Sequence, residues 1–396
     1  MASKTGPSGR LAGVSAMFDG KRLTLARELA GLKRIQLAEL IDMSPASVSA
    51  WESGLKKPNG STVARLSVAL QVEPQFFAAT SGLPMFATVP HFRSLRSTTQ
   101  RAQDQALAYG RLAGEIAALV EKSVKFPPRN LPAFPLPATE ASIGGPEEAA
   151  RLSREHFGVP VGPVEHMVRL AERAGVLVVF SAPQTASIDA YSMEWAGRPI
   201  VVLNPEKNDY YRQRFDVAHE LGHLIMHTDA EPGGRIAEDQ ANRFASEFLM
   251  PAEHILQYLP GTTTNQGWMT LRQLKEHWGV SMQALLYRAR ELGVMSEVTY
   301  RNAMIRVSGL GWRRAEPGNV VALEMPSLIP RAIEVLEEAG ISAMDIIRGP
   351  GLPFPVFEVI ASRTPSLGAR VSEDGGPKEL ADPGGVVSAL LGRKGI

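Results

Sequence analysis

The sequence predicts a mainly α fold with one small β-sheet (α+β), in three parts: an all-α N-terminal domain, an α+β domain and a C-terminal helical region. Three observations predict it. Apolar residues recur at spacings of three and four through 20–80 and again through 268–308, the helical period. Residues 176–180, 188–195 and 199–203 are instead β-branched and aromatic runs of strand length, with Gly197 in the turn between the last two. Pro- and Gly-rich stretches at 125–146 and after 364 separate the patterned segments.

Residues 1–19 read as a disordered leader rich in Gly, Ser and Ala, with Met17 a candidate start. Residues 20–80 form short helices on Leu25, Leu29 and Leu32, on Leu37, Leu40 and Ile41, on Val48 and Trp51, and on Val63, Leu66 and Leu70. They are broken at Gly31, Ser44-Pro45, Gly54, Pro58 and Pro74. Residues 81–146 are a connector: a link over 81–98, one long helix over 99–124, and an extended segment holding six prolines between 127 and 146. The α+β domain spans 147–265, with helices at 147–157 and 163–174, three strands, and helices at 209–227 and 235–249 that stop before Pro251. Three helices over 268–308 and one at 333–338 make the C-terminal region, 266–365, and 366–396 is a flexible tail.

Composition bounds the chemistry. With 44% apolar and 21% charged residues the chain can bury a core unaided. It has no cysteine, which excludes disulfides, thiolate ligands and thiol nucleophiles. The net charge of +1 confines any nucleic-acid surface to a local patch. No signal-peptide core and no run of 18 apolar residues occurs, so a cytoplasmic protein without a membrane span is expected.

The densest chemical signal is His219-Glu220-Leu221-Gly222-His223. Residues four apart on a helix share a face, so two imidazoles can aim at one ion, and Glu220 beside them can take a proton from the attacking water. With only 8 histidines in the chain, this pattern arises by chance in about one chain in a hundred. Zinc of the His₂Glu kind needs one further ligand and keeps a position for water or substrate. The best candidate is Glu238 on the next helix, with Asp239 and Glu247 as competitors. Asn242, one turn beyond Glu238, can orient a ligand from behind. His227 extends the four-residue series but lies about 12 Å along the axis from His219, too far to share its ion. A packing or supporting role is expected of it.

Residues 35–53 carry a second signal. Ser44 is a good N-cap and Pro45 suits the first helical position, so a helix starts cleanly after a tight turn, as a recognition helix for the major groove does. Over residues 20–80, eight basic against five acidic residues leave a local net of +3. Arg34, Lys56 and Lys57 flank that helix where phosphates would lie, and Ser44, Ser47 and Ser49 are its candidate polar contacts.

Both parts resemble known families. Residues 22–77 resemble the Xre-type, Cro/repressor-like helix-turn-helix through Leu37-Ala38-Glu39-Leu40, Ser44-Pro45-Ala46-Ser47-Val48-Ser49, Trp51-Glu52-Ser53-Gly54 and Pro58. Residues of about 150–260 resemble the ImmA/IrrE metallopeptidase family. The residues that carry this are Val201-Val202-Leu203-Asn204, Arg214-Phe215-Asp216-Val217-Ala218 before the His-Glu motif, Glu238-Asp239-Gln240-Ala241-Asn242-Arg243-Phe244-Ala245 and Leu249-Met250-Pro251. Similarity continues to about 316. The resemblance implies a zincin-like peptidase domain over 147–265, with His219, His223 and Glu238 on Zn2+ and Glu220 as general base. It also implies bacterial regulation in which such a peptidase cleaves a helix-turn-helix repressor, often on stress. One departure stands out: Pro45, Ala46 and Ala50 cannot hydrogen-bond bases, so direct readout is expected to be weak. The expected partners are DNA, a repressor-like protein substrate (or the chain itself) and a second copy of the chain. The alternatives are a DNA-binding regulator whose zinc domain senses or stabilises without cleaving, and an antitoxin-like partner of another protein.

Overall fold

The computed structural model describes residues 7–78, 91–92, 99–137, 145–182, 188–227 and 234–363. The expected flexible tail at 366–396 lies outside them, as does most of the 81–98 link.

The first helix, α1 (Pro7–Ala16), falls within the stretch expected as a disordered leader, of which residues 1–6 lie outside the described residues. It packs on α5, Val14 and Phe18 are buried, and the Ser15 hydroxyl donates to the Pro58 carbonyl. Its small residues carry little helical signal alone, and its order comes from the bundle it lies on. That bundle is α2 (Gly20–Leu29), α3 (Arg34–Leu40), α4 (Pro45–Glu52) and α5 (Gly60–Leu70). Asp19, Ser44 and Asn59 cap the starts of α2, α4 and α5 by accepting from backbone N–H groups of the first turn, each contributing about 1 kcal/mol. A short 3₁₀ turn, Pro74–Phe77, closes the unit.

The two-residue strand β1 (His91–Phe92) and the long helix α6 (Gln100–Val120) follow. Next come α7 (Gly145–His156), α8 (Met167–Arg173) and the strands β2 (Leu177–Phe180), β3 (Ala190–Trp195) and β4 (Arg198–Leu203). The sheet order is β1-β3-β4-β2, with β2 parallel to β4 and the other pairs antiparallel. Then α9 (Tyr210–Met226) and α10 (Arg235–Leu249) pack side by side. The short α11 (Ala252–Ile255) leads to α12 (Asn265–Trp278), α13 (Met282–Glu291) and α14 (Glu297–Gly309). The chain ends its described part with α15 (Leu328–Glu338), α16 (Ala343–Arg348) and α17 (Phe354–Ala361).

The sheet is buried on both faces, and its pleat sorts alternate residues into two cores. Leu177, Val179, Tyr191, Met193, Trp195, Ile200 and Val202 join a core with α6, the N-terminal bundle and α15–α17. Val178, Phe180, Ala190, Val201 and Leu203 join the other, with α7–α10 and α12–α14. The C-terminal region of the sequence reading therefore divides: α12–α14 belong with the metal-site helices, whereas α15–α17 pack back onto α6.

The N-terminal bundle is fastened to that framework. The Arg22 guanidinium donates to both oxygens of Glu115 on α6, at 2.6 and 2.7 Å, and to the Phe76 carbonyl at 3.0 Å. Helix α6 in turn meets the sheet through Tyr109, whose hydroxyl donates to Phe180 O at 2.7 Å, and through Tyr191 of β3, which donates to Ala106 O. Gly114 permits this contact, because a Cβ there would lie 2.8 Å from the Trp195 ring.

Candidate metal centre and helix-turn-helix surface

Helix α9 starts at Asp209, whose carboxylate accepts from the N–H groups of Tyr211 and Arg212. Its position is fixed by Arg214, fully buried, which donates to Glu324 at 2.5 Å and to the Gly279 carbonyl at 3.0 Å. Gly222 lets α10 come close: a Cβ there would stand 2.9 Å from the Phe244 ring. That approach delivers Glu238 to the two histidines of α9.

His219, Glu220 and His223 have no solvent exposure. The Nε2 atoms of His219 and His223 are 3.1 Å apart, and each lies 3.3 Å from an oxygen of Glu238. Of the competitors, Asp239 is exposed to solvent, and Glu247 is buried in an ion pair with Arg288. Burial would raise the Glu238 carboxyl, but hydrogen bonds and charge from His219 and His223 outweigh it and hold the group well below the usual carboxylate range.

The groups behind the imidazoles decide which nitrogens are left for an ion. Nδ1 of His219 lies 3.1 Å from Asn242 Oδ1, an acceptor, so Nδ1 carries the proton and Nε2 a lone pair. For His223 the chain is longer. Gln240 donates through Nε2 to the Pro137 carbonyl at 3.2 Å, which turns its Oε1 towards His227. His227 Nε2 then donates to that Oε1 at 2.7 Å. Burial first, and the neighbouring His223 second, push the His227 pKa down to about 4, so the ring is neutral near pH 7 and its Nδ1 is an acceptor. His223 must donate from Nδ1 to His227 Nδ1, 3.0 Å away, and its Nε2 carries the lone pair. Two lone pairs and a carboxylate directed at one point are the donor set of a metal site, and the residues fit a divalent ion.

Glu220 is steered as well. The Ser192 hydroxyl of β3 donates to its Oε2 at 2.7 Å. Sequence reasoning placed Asn242 and His227 near the ligands but missed Ser192 and the part played by Gln240. Beside the centre lies a cleft of about 520 Å³, lined among others by Asp189, Phe215, Asp216, Asn242, Tyr287 and Tyr300. It is large enough to take several side chains of a bound peptide.

The helix-turn-helix surface is arranged differently. Pro45, Ala46 and Ser49 of α4 are exposed, as a recognition helix requires. The expected polar contacts are mostly engaged within the chain. Ser44 caps α4 and its hydroxyl lies 2.9 Å from that of Ser47. Arg34 donates to Glu52 at 2.5 Å, and Glu52 also accepts from Arg27. The Lys57 ammonium donates to Ala16 O at the end of α1. Ser49 and Lys56 are exposed. Ile35 and Leu55 expose large apolar side chains near the same helix, at 56% and 82%.

Residues 171–290 match a peptidase family model described as the IrrE N-terminal-like domain, and residues 23–77 match a helix-turn-helix model. No curated protein matches the chain. The chain thus joins a helix-turn-helix DNA-binding domain to a metallopeptidase-like domain that implies a metal ion. No helix among the described residues is long and apolar enough to cross a membrane.

Proposed function

We propose that the chain is a bacterial, cytoplasmic transcriptional regulator with zinc-dependent endopeptidase activity, whose target is a helix-turn-helix repressor or the chain itself. The observation that carries this reading is the tautomer chain ending in the paired Nε2 atoms of His219 and His223 opposite Glu238. A buried cluster with that polarity is what zinc binding needs, and the absence of cysteine leaves His and carboxylate as its donors. When bound, zinc would polarise the scissile carbonyl and make a water acidic enough to attack near neutral pH.

The chain's own residues do the rest. His219, His223 and Glu238 hold the ion, and Asn242 and His227 set the two rings. Glu220, oriented by Ser192, takes the proton of the attacking water and passes it to the leaving amine. The 520 Å³ cleft receives substrate side chains. The DNA-binding module brings the peptidase to its target, and the common core around α6 ties one to the other.

The test is zinc content together with Glu220→Gln. The purified chain should hold about one zinc, and Glu220→Gln should keep it, keep DNA binding and lose cleavage of the target repressor or of the chain itself. Regulation in cells that survives Glu220→Gln would sink the peptidase reading and leave a DNA-binding regulator with a zinc module that senses or stabilises.

A further inference from the structure

The metal centre sits under one edge of the sheet, and that edge is already paired. We propose that the outer edge of β3 is the peptide-binding edge of the site and that the chain's own His91–Phe92 backbone holds it, so that a peptide in trans binds only by displacing this segment. The proposal rests on the peptidase reading above and adds the regulation of that site.

Strand β3 has β4 on one side and β1 on the other, with His91 opposite Ser192 and Phe92 opposite Tyr191. Ser192 is the residue whose hydroxyl holds Glu220, so the His91 backbone lies one strand spacing, about 4.8 Å, from the strand that positions the general base. Asp189, just before β3, lines the 520 Å³ cleft that also reaches Asn242 behind His219, so the cleft starts at the end of that strand. An extended peptide added to a sheet edge draws affinity from main-chain hydrogen bonds, which any sequence can make, and specificity from alternate side chains. An antiparallel β1 occupies the seat that such a peptide would take. Among the described residues the pairing spans His91 and Phe92, and a peptide that pairs along more of β3 can replace it. Because the segment is tethered, its effective concentration at the edge is of millimolar order, enough to exclude weak peptides. Residues 91 and 92 lie in sequence between the DNA-binding bundle and α6, so the occupant belongs to the link between the two modules.

The test uses the full chain as the Glu220→Gln variant, and a labelled synthetic peptide copying residues 86–97. Fluorescence anisotropy should show this peptide binding roughly tenfold more tightly when His91→Pro and Phe92→Pro are added, because neither proline can donate to the ladder. Equal affinity with and without the prolines overturns the proposal. A second variant guards against misfolding. His91→Cys with Ser192→Cys, in a chain that has no other cysteine, should oxidise to an intramolecular disulfide, since directly paired residues have Cα atoms about 4.5–5.5 Å apart. His91→Cys with Thr299→Cys should not. Failure of the first pair to crosslink overturns the seating of β1. Tight peptide binding without hydrolysis of the same peptide by the zinc-loaded chain that carries both prolines and an intact Glu220 would instead count against the peptidase reading alone.

Discussion

The metal centre and the helix-turn-helix surface answer the same question in opposite ways. Around His219 and His223, side chains from α9 and α10 and the backbone of Pro137 each turn the next group, until two lone pairs face Glu238. Around α4, the candidate side chains turn to one another: Arg34 to Glu52, Lys57 to the end of α1, Ser44 to Ser47. Burial of the groups that would meet the ligand is the difference: His219 and His223 have no exposure, whereas Ser44, Lys57 and the Arg34 guanidinium face water even though its partner Glu52 is buried. A buried polar atom without a partner costs about 1–3 kcal/mol, so the interior fixes every orientation. At the surface water substitutes for any partner, and an ion pair there contributes about 0–1 kcal/mol. The comparison teaches that spacing in a sequence specifies a buried site far more tightly than an exposed one.

The largest expected effect breaks the centre directly. His223→Ala should lower zinc affinity by about a thousandfold, taking roughly 10–16 kcal/mol of binding as shared among a few ligands. Glu238→Ala should behave alike, and competition with a chromogenic chelator reads both. Asp239→Ala should change nothing, because that carboxylate points to solvent. Zinc retained in Glu238→Ala would remove it from the ligand set.

The next effect asks whether the contrast belongs to modules or to burial. Arg22 and Glu115 lie inside the DNA-binding unit and its mounting on α6, with side chains only 5% and 8% exposed. If burial is what matters, Arg22→Met should destabilise the chain by about 3–5 kcal/mol, because it leaves a buried carboxylate uncompensated. Arg22→Met with Glu115→Leu should recover much of that. Thermal unfolding decides it, and a loss under 1 kcal/mol for the single variant would show the bundle to be loosely mounted.

A smaller effect sharpens the tautomer argument. Gln240→Leu removes the acceptor that orients His227, and through it His223, without touching a ligand. Zinc affinity should fall about 10–100-fold. Asn242→Leu should do the same through His219. If both variants bind zinc like the wild type, the orientation of the imidazoles is set by packing alone.

These effects also mark how far the sequence could be read. The helix carrying the His-Glu motif, expected over 209–227, runs Tyr210–Met226, and the next, expected over 235–249, is Arg235–Leu249. Both have a strong period, a good cap or a proline stop, and burial on a defined face. The strands were legible too: β2 and the Ile200–Leu203 run of β4 are apolar on both faces of the pleat, and β3 alternates Tyr191, Met193 and Trp195 with small or polar residues. The order of α1 was not, because residues 1–19 carry few apolar side chains and α1 is ordered by a helix some fifty residues later. Nor was the return of α15–α17 to α6, a contact across two hundred residues of chain. Ser192 gave no local signal at all. Its partner is 28 residues away, and only the register of β3 on β4 aims it at Glu220.

The smallest effect concerns the surface itself, and it separates two lysines and an arginine that look equivalent in sequence. Arg34 shares Glu52 with Arg27, so the three groups together present one net positive charge, and removing Arg34 leaves a neutral Arg27–Glu52 pair that can reorganise little. Lys57 is spent on the last turn of α1, whose carbonyl end favours a cation. Lys56 is exposed beside α4. A lysine that meets a phosphate releases about one counterion, so Lys56→Ala should weaken binding to any duplex by a few-fold and reduce the slope of log affinity against log salt by about one. Lys57→Ala should affect that slope less and lower thermal stability instead. Titration of each variant with a nonspecific duplex across salt concentrations gives both numbers. An identical slope for wild type and Lys56→Ala would place the phosphates elsewhere, and would leave the exposed Ile35 and Leu55 as the features of this surface still in want of a partner.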